Sequence, residues 1–280
     1  MNEHCQPDRQ DCYAVMGNPI AHSKSPQIHC RFAEQTGQPL GYDALLVDTD
    51  GFRQAVTEFF AAGGKGLNVT VPFKQEAWQL SATLSPRAEL AGAVNTLLPG
   101  ADDQLRGDNT DGAGLVRDLQ DNLGVTLKNK QVLMLGAGGA ARGVLAPLLE
   151  QEPASIHIAN RTVLRATELC DTFSEFGELS ASGFDDIDCG PFDIVINATS
   201  AGLSGEVPAL PDGVISTDSC CYDMVYGTQP TAFMRYASQL GCRNTHDGLG
   251  MLVEQAAESF YLWRGIKPET GTVISALRVS

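Results

Sequence analysis

A chain of 280 residues is long for one hydrophobic core, because cores stop growing at roughly 250 to 300 residues and domains cluster near 100 to 150, so two domains are expected. Apolar residues make up 43% and charged residues 19%, which excludes disorder, and no apolar run approaches the ~18 to 20 residues of a membrane helix. The formal charge is −15 with no Lys/Arg-rich run, which excludes a phosphate backbone as partner and favours solubility.

The opening MNEHCQPDRQDC is polar and mixed in charge, unlike a secretory signal, so a cytoplasmic protein is expected. Eight cysteines without a CxxC pair read as reduced thiols, and five histidines without HExxH or a His/Cys cluster give no reason to expect a metal.

In chain order, CYAVMG reads as a strand, 26–36 as a helix, YDALLV as extended, 51–62 as a helix and KGLNVTV as a strand. The stretch 108–122 reads as a helix entered through Asp and Gly, a candidate hinge between domains. From Lys130 the rhythm restarts: strand QVLML, helix 140–149, strand SIHIA, then DIVINA and CCYDMVY. The segment GMLVEQAAESFYLWR places Leu252, Ala256, Phe260 and Trp263 at helical spacing. Loop-like clusters fall around 99–103 and 205–213. The fold class is α/β in two domains.

The run QVLMLGAGGAAR places Gly136, Gly138 and Ala141 as GxGxxA directly between a strand and a helix. There Gly136 permits a tight turn, Gly138 lets the backbone approach a pyrophosphate, and Ala141 allows close packing. The helix N-terminus adds amide donors and a favourable dipole, so the loop Gly136, Ala137, Gly138, Gly139, Ala140 is a candidate dinucleotide cradle. The bland alternative is a glycine-rich turn without a ligand. The next strand ends at Asn160, Arg161 and Thr162, where an NAD site would hold an acid against the ribose 2′-hydroxyl. No acid is present. Arg161 and Arg165 suit a 2′-phosphate instead, which favours NADP, unless both simply solvate a loop.

The runs GNPIAHSKSPQIH, GLNVTVPFK, GAVNTL, GDNTDGAG, GAGGAAR, NATSAG, YDMVYGTQPT and DGLGMLVEQA follow one another from residue 17 to 256, and together they resemble the successive signatures of the shikimate dehydrogenase family. The resemblance implies an N-terminal α/β substrate domain over 1–110, completed by 247–280. It also implies a Rossmann-type doubly wound NADP-binding domain over 111–246.

Read as residues alone, Ser25 before Pro26 is a good N-cap, and Ser23 with Ser25 makes a hydroxyl-rich anion site at a helix N-terminus. The resemblance makes them the carboxylate-binding pair. Alternation puts Asn68 and Thr70 on one face of their strand, and the resemblance gives them hydroxyl recognition. Lys74 alone would be an ordinary surface lysine, and Asp111 an ordinary N-cap. The resemblance pairs them and assigns Lys74 to proton transfer, where a buried carboxylate would hold the ammonium. Asn95, Tyr226 and Gln255 become substrate contacts, which requires the last helix to return to the first domain. Thr199, Met224 and Gly248 fall to the cofactor, with Met224 as ordinary core packing the alternative.

The implied activity is reversible NADPH-dependent reduction of 3-dehydroshikimate to shikimate, on the route to chorismate and the aromatic amino acids, by a monomer or homodimer. Lys74 would neutralise the developing oxyanion, and an interdomain cleft would close around both ligands. A broader quinate/shikimate dehydrogenase is the nearest alternative. A non-catalytic NADP or metabolite sensor is another, expected to have lost Lys74 or Asp111, and both are present.

Overall fold

A computed structural model describes residues 10–101, 104–199 and 206–279. His4, Cys5 and the Ser200, Ala201 and Gly202 of NATSAG lie outside the described residues, as do parts of both loop clusters. The chain divides into two compact units, Met1–Gly114 with Val253–Ser280, and Leu115–Leu252.

The first unit alternates β1 (Asp11–Gly17), α1 (Ser25–Thr36), β2 (Leu40–Leu46), α2 (Phe52–Ala61), β3 (Gly66–Val69), α3 (Lys74–Leu80), β4 (Thr83–Leu84), α4 (Pro86–Ala91), β5 (Thr96–Pro99) and β6 (Leu105–Asp108). Its sheet runs β2-β1-β3-β5-β6-β4. β1 is parallel to β2 and β3, and β5 is antiparallel to both its neighbours. Tyr13 through Met16 are all buried, as befits a central strand covered on both faces. Phe52 and Val56, one helical turn apart on α2, pack on Ala14, Met16 and Leu67. Phe52 also stacks on Phe73, ring centroids 4.7 Å apart, and burial of each ring is worth roughly 1.5 to 3 kcal/mol.

Two expected boundaries shift for local reasons. Ser25 is the first residue of α1, and the capping position is Lys24, whose side chain makes no cap hydrogen bond. The backbone N–H of Ser25 instead donates to Ser23 Oγ at 3.3 Å. The expected helix 108–122 begins only at Asp111, because Asp108 is still paired with Thr96 across β5 and β6. α5 (Asp111–Arg117) then runs into a π-helical turn, Asp118–Asn122. There the buried Asp118 carboxylate accepts from Tyr222 Oη at 2.6 Å and from Asn122 Nδ2 at 2.9 Å.

The second unit holds β7 (Gln131–Leu135), α6 (Gly139–Leu149), β8 (Ser155–Ala159), α7 (Val163–Phe173), β9 (Leu179–Ser182), β10 (Ile194–Asn197), β11 (Cys220–Asp223), α8 (Ala232–Gln239) and β12 (Asn244–Asp247). Its sheet order is β12-β11-β10-β7-β8-β9 with every pairing parallel, the doubly wound dinucleotide-binding topology. The expected CCYDMVY strand stops at Asp223, whose Oδ1 accepts from the backbone N–H of Val225 and turns the chain.

The last two helices are α9 (Leu249–Arg264) and α10 (Gly271–Val279). Within the first unit, α9 buries Phe260 against Phe32 at 5.7 Å. It also pins Trp263 Nε1 to the Leu97 carbonyl at 3.2 Å, and Arg264 to Asp11 and Gln38. Among the described residues no helix is long and apolar enough to cross a membrane.

Candidate active site

In the first unit, β3 ends at Val69 and Phe73 anchors the following turn in the core, so Lys74 starts α3 from a fixed point. Its Nζ donates to Asp111 Oδ2 at 2.6 Å, with side-chain exposures of 29% and 14%. That is sheltered enough to strengthen the attraction and open enough for a reactant to reach the ammonium. Asp111 sits in the first turn of α5, where a carboxylate suits the helix dipole, and its N–H donates to Asn109 Oδ1.

Asn95 Nδ2 donates to Asp111 Oδ1 at 2.8 Å and to Thr110 Oγ1 at 2.9 Å. Its own Oδ1 accepts from the Thr110 N–H and from Thr96 Oγ1, each at 2.9 Å. Gln255 of α9 presents Oε1 to Asn95 Nδ2 and to Thr110 Oγ1, both at 3.3 Å. Asn68 Nδ2 donates to Asn95 O, Thr96 Oγ1 and Ser259 Oγ, while its Oδ1 accepts from Tyr42 Oη at 2.7 Å. Burial pushes the Tyr42 phenol well above its ordinary value, and the neighbouring Ser25 side chain opposes that shift.

Lys74, Asp111, Asn95, Gln255 and Asn68 thus share one hydrogen-bonded cluster, which Tyr42 joins through Asn68, with Ser25 beside Tyr42. The side chains of Ser23 and Thr70 are half-buried and bond to none of these side chains. Tyr226 belongs to the second unit, where burial raises its phenol pKa. The motifs did not single out Tyr42, Thr96, Thr110 or Ser259, although all four are buried in the network. The only signal was the polar pair Asn95–Thr96 interrupting the apolar GAVNTLL, and the Thr110 beside Asp111.

In the second unit, Gly136 has φ +105°, and an added Cβ would lie 3.2 Å from Ala198 and Thr199, so the turn requires glycine. Gly138, in contrast, precedes α6 with extended backbone, φ −91° and ψ −172°, and a Cβ there would meet no protein atom within 4 Å. Gly139 opens on the same free space. A glycine needed by nothing in the protein, at the N-terminus of an eleven-residue helix, fits a cradle for a pyrophosphate.

Asn160 Oδ1 accepts from the Ala137 N–H at 3.2 Å and its Nδ2 donates to Thr162 O at 2.8 Å, joining the glycine loop to the Arg161 loop. Arg161 and Arg165 are exposed, and neither forms an ion pair with a carboxylate among the described residues. Thr199 donates twice to Asn197 Oδ1, and Asn197 Nδ2 donates to Asp223 Oδ1. A Cβ on Gly248 would lie 2.3 Å from Met224 O, so Met224 and Gly248 touch only because 248 is glycine.

Residues 15–97 match the shikimate dehydrogenase substrate binding domain, 118–204 the shikimate/quinate 5-dehydrogenase family, and 248–278 the shikimate 5′-dehydrogenase C-terminal domain. A shikimate dehydrogenase (NADP(+)) from Alkalilimnicola ehrlichii is 60% identical over 268 residues, covering 96% of this chain and 98% of that one. The crystal structure of an Ael1 enzyme from Pseudomonas putida is 44% identical with a TM-score of 0.92, covering 97% of this chain and 99% of its own. Shikimate 5-dehydrogenase from Thermus thermophilus, solved in complex with NADP(H) and shikimate, is 32% identical with a TM-score of 0.85, covering 96% and 99%. With identity this high and coverage nearly complete in both directions, the chain belongs to the shikimate dehydrogenase family.

Proposed function

We infer that this chain catalyses the reversible NADPH-dependent reduction of 3-dehydroshikimate to shikimate, a step toward chorismate and the aromatic amino acids. The observation that carries the reading is the 2.6 Å Lys74–Asp111 pair at the edge of a buried amide and hydroxyl cluster, in a chain closely related to NADP-dependent shikimate dehydrogenases. A sheltered ammonium beside polar side chains is what a carbonyl reduction of a polyhydroxylated acid requires.

The substrate is assigned to the first unit and NADP to the second. Ser23 and Ser25, at the N-terminus of α1, take the carboxylate, and Asn68, Thr70, Asn95 and Gln255 take the ring hydroxyls. The Gly136–Ala140 loop and the N-terminus of α6 hold the pyrophosphate. Asn160, Arg161, Thr162 and Arg165 hold the 2′-phosphate end, where each guanidinium offers a bidentate fork. Thr199, Met224 and Gly248 border the nicotinamide.

When bound, the cofactor supplies the hydride for the carbonyl carbon. Lys74 donates its proton to the carbonyl oxygen as negative charge develops there, and Asp111 keeps the ammonium aimed throughout. In the oxidation of shikimate, neutral Lys74 accepts the hydroxyl proton as hydride leaves the same carbon. The seven described cysteines are free thiols, which suits the reducing cytoplasm we propose for it.

The test is NADP reduction followed with shikimate and quinate in parallel, for wild type and Lys74→Ala. The reading expects shikimate to be strongly preferred and kcat to fall by about 10² or more in the variant, the usual scale of general acid–base catalysis. Preference for quinate would replace the substrate assignment, and wild-type kcat in Lys74→Ala would overturn the role of the lysine.

A further inference from the structure

We propose that Thr96, backed by Ser259 of α9, is a positioning residue that fixes which end of the Asn95 amide faces Asp111, and thereby aims the Asp111 carboxylate at Lys74. The proposal rests on Lys74 and Asp111 being the proton-handling pair.

The direction of each bond follows from groups that have no choice. The Asn95 backbone carbonyl can only accept, so the Asn68 group facing it at 3.1 Å is its NH2 end. That same Nδ2 lies 3.2 Å from Thr96 Oγ1, which must therefore accept there and can spend its single proton elsewhere. The proton goes to Asn95 Oδ1 at 2.9 Å. The Thr110 N–H, which can only donate, also meets Asn95 Oδ1. With its carbonyl end claimed by the Thr96 hydroxyl, the Thr110 N–H and, at 3.2 Å, the Thr110 hydroxyl, Asn95 turns Nδ2 to Asp111 Oδ1, leaving Oδ2 for Lys74. Ser259 Oγ lies 2.8 Å from Thr96 Oγ1 and 3.1 Å from the Gln255 backbone carbonyl, and with the Thr96 proton committed to Asn95 the single Ser259 proton is shared between these two acceptors.

Thr96 and Ser259 are fully buried, and Asn95 is 2% exposed, so no water is at hand to substitute for a missing hydroxyl. A flipped Asn95 amide would set its oxygen against the Asp111 carboxylate, two acceptors facing each other without a proton between them. Thr96 touches neither Lys74 nor Asp111 and acts only through Asn95.

The experiment compares kcat and KM for shikimate oxidation in Thr96→Val, Thr96→Ser and Lys74→Ala. Val keeps the shape and removes the hydroxyl, and kcat should fall about tenfold, a larger change than the rise in KM for shikimate that comes through Asn95 and its ring hydroxyl. Thr96→Ser restores the donor and should recover most of the lost kcat. A purely structural Thr96 would lower the melting temperature without this kcat-specific loss or its rescue. Wild-type kcat in Thr96→Val beside an inactive Lys74→Ala would overturn the proposal alone. Wild-type kcat in Lys74→Ala would overturn the catalytic pair and the proposal with it. Should Thr96→Val not accumulate as folded protein, Ser259→Ala reads the same chain one link back. There kcat should fall about threefold, and an unchanged kcat would count against the proposal.

Discussion

His29 offers a stability prediction whose size follows from its surroundings. It is fully buried on α1, stacked on Tyr42 with centroids 4.2 Å apart and rings 4° from parallel, and flanked by Phe32, Phe260 and Trp263. Neither ring nitrogen has a partner in hydrogen-bonding geometry. Burial lowers its pKa to about 3, and the Asn68 side chain opposes the shift. The unfolded chain takes up this proton near pH 6.5, whereas the folded chain resists it until about pH 3. The contribution of the neutral ring to stability is therefore whole above about pH 6.5 and is lost as the pH falls through that window toward 3. At pH 5 the unfolded imidazole lies about 1.5 pH units below its pKa, which makes the loss about 2 kcal/mol relative to pH 7. His29→Phe keeps the stacked shape and removes the titration. Both tryptophans of the chain, Trp78 and Trp263, lie in the first unit, so urea unfolding followed by their fluorescence reads the unit that contains His29. Wild type should lose about 2 kcal/mol more than His29→Phe between pH 7 and pH 5. Equal losses in the two proteins would refute the account.

At the cofactor end, Arg161→Ala and Arg165→Ala should each raise KM for NADP by roughly tenfold to a hundredfold, the worth of a charge-assisted bond to phosphate, and leave KM for NAD nearly unchanged. An equal loss with both cofactors would mean the arginines do not read the 2′-phosphate. Gly138→Ala should keep the wild-type melting temperature, because its backbone is extended and a Cβ there meets no protein atom, yet weaken NADP binding about tenfold or more. Calorimetry that finds wild-type NADP affinity in Gly138→Ala would remove the pyrophosphate from this loop.

The centre of the second unit was legible because its signals are local. A buried strand, GxGxxA and a helix fall within one short segment, and the central strands carry apolar runs that need no partner to be recognised, whereas the polar edge strands β9 and β12 and the helices α7 and α8 were absent from the pattern. The first unit was harder. β4, with two residues, and the antiparallel β5 and β6 leave almost no periodicity, so they were absent from the pattern along the chain. The helix expected over 108–122 failed at its start because a long-range pairing, Asp108 with Thr96, holds the first residues in a strand. Local propensity lost to a contact that the sequence does not announce.

The same distinction governs the candidate site. Lys74 and Asp111 stand out only through flanking motifs, and geometry adds that they meet at 2.6 Å. What no motif carries is the set of hydroxyls behind them. A threonine in a strand such as β5 is an ordinary β-former, and a serine such as Ser259 inside a helix is an ordinary exception, until folding sets them 2.8 Å apart and fully buried. Their value lies in direction. A carboxylate can accept from any side, so the aim of Asp111 must be imposed by a donor that cannot turn, and an amide can always turn unless its carbonyl end is claimed. Thr110 supplies that claim through a backbone N–H, which side-chain changes other than proline leave in place, and through its hydroxyl at 3.2 Å, whereas Thr96 supplies it through a hydroxyl alone. The aim of the catalytic pair should therefore weaken, without vanishing, when the hydroxyl goes. That is why the expected loss in Thr96→Val is about tenfold and not the hundredfold or more expected when the lysine itself is removed.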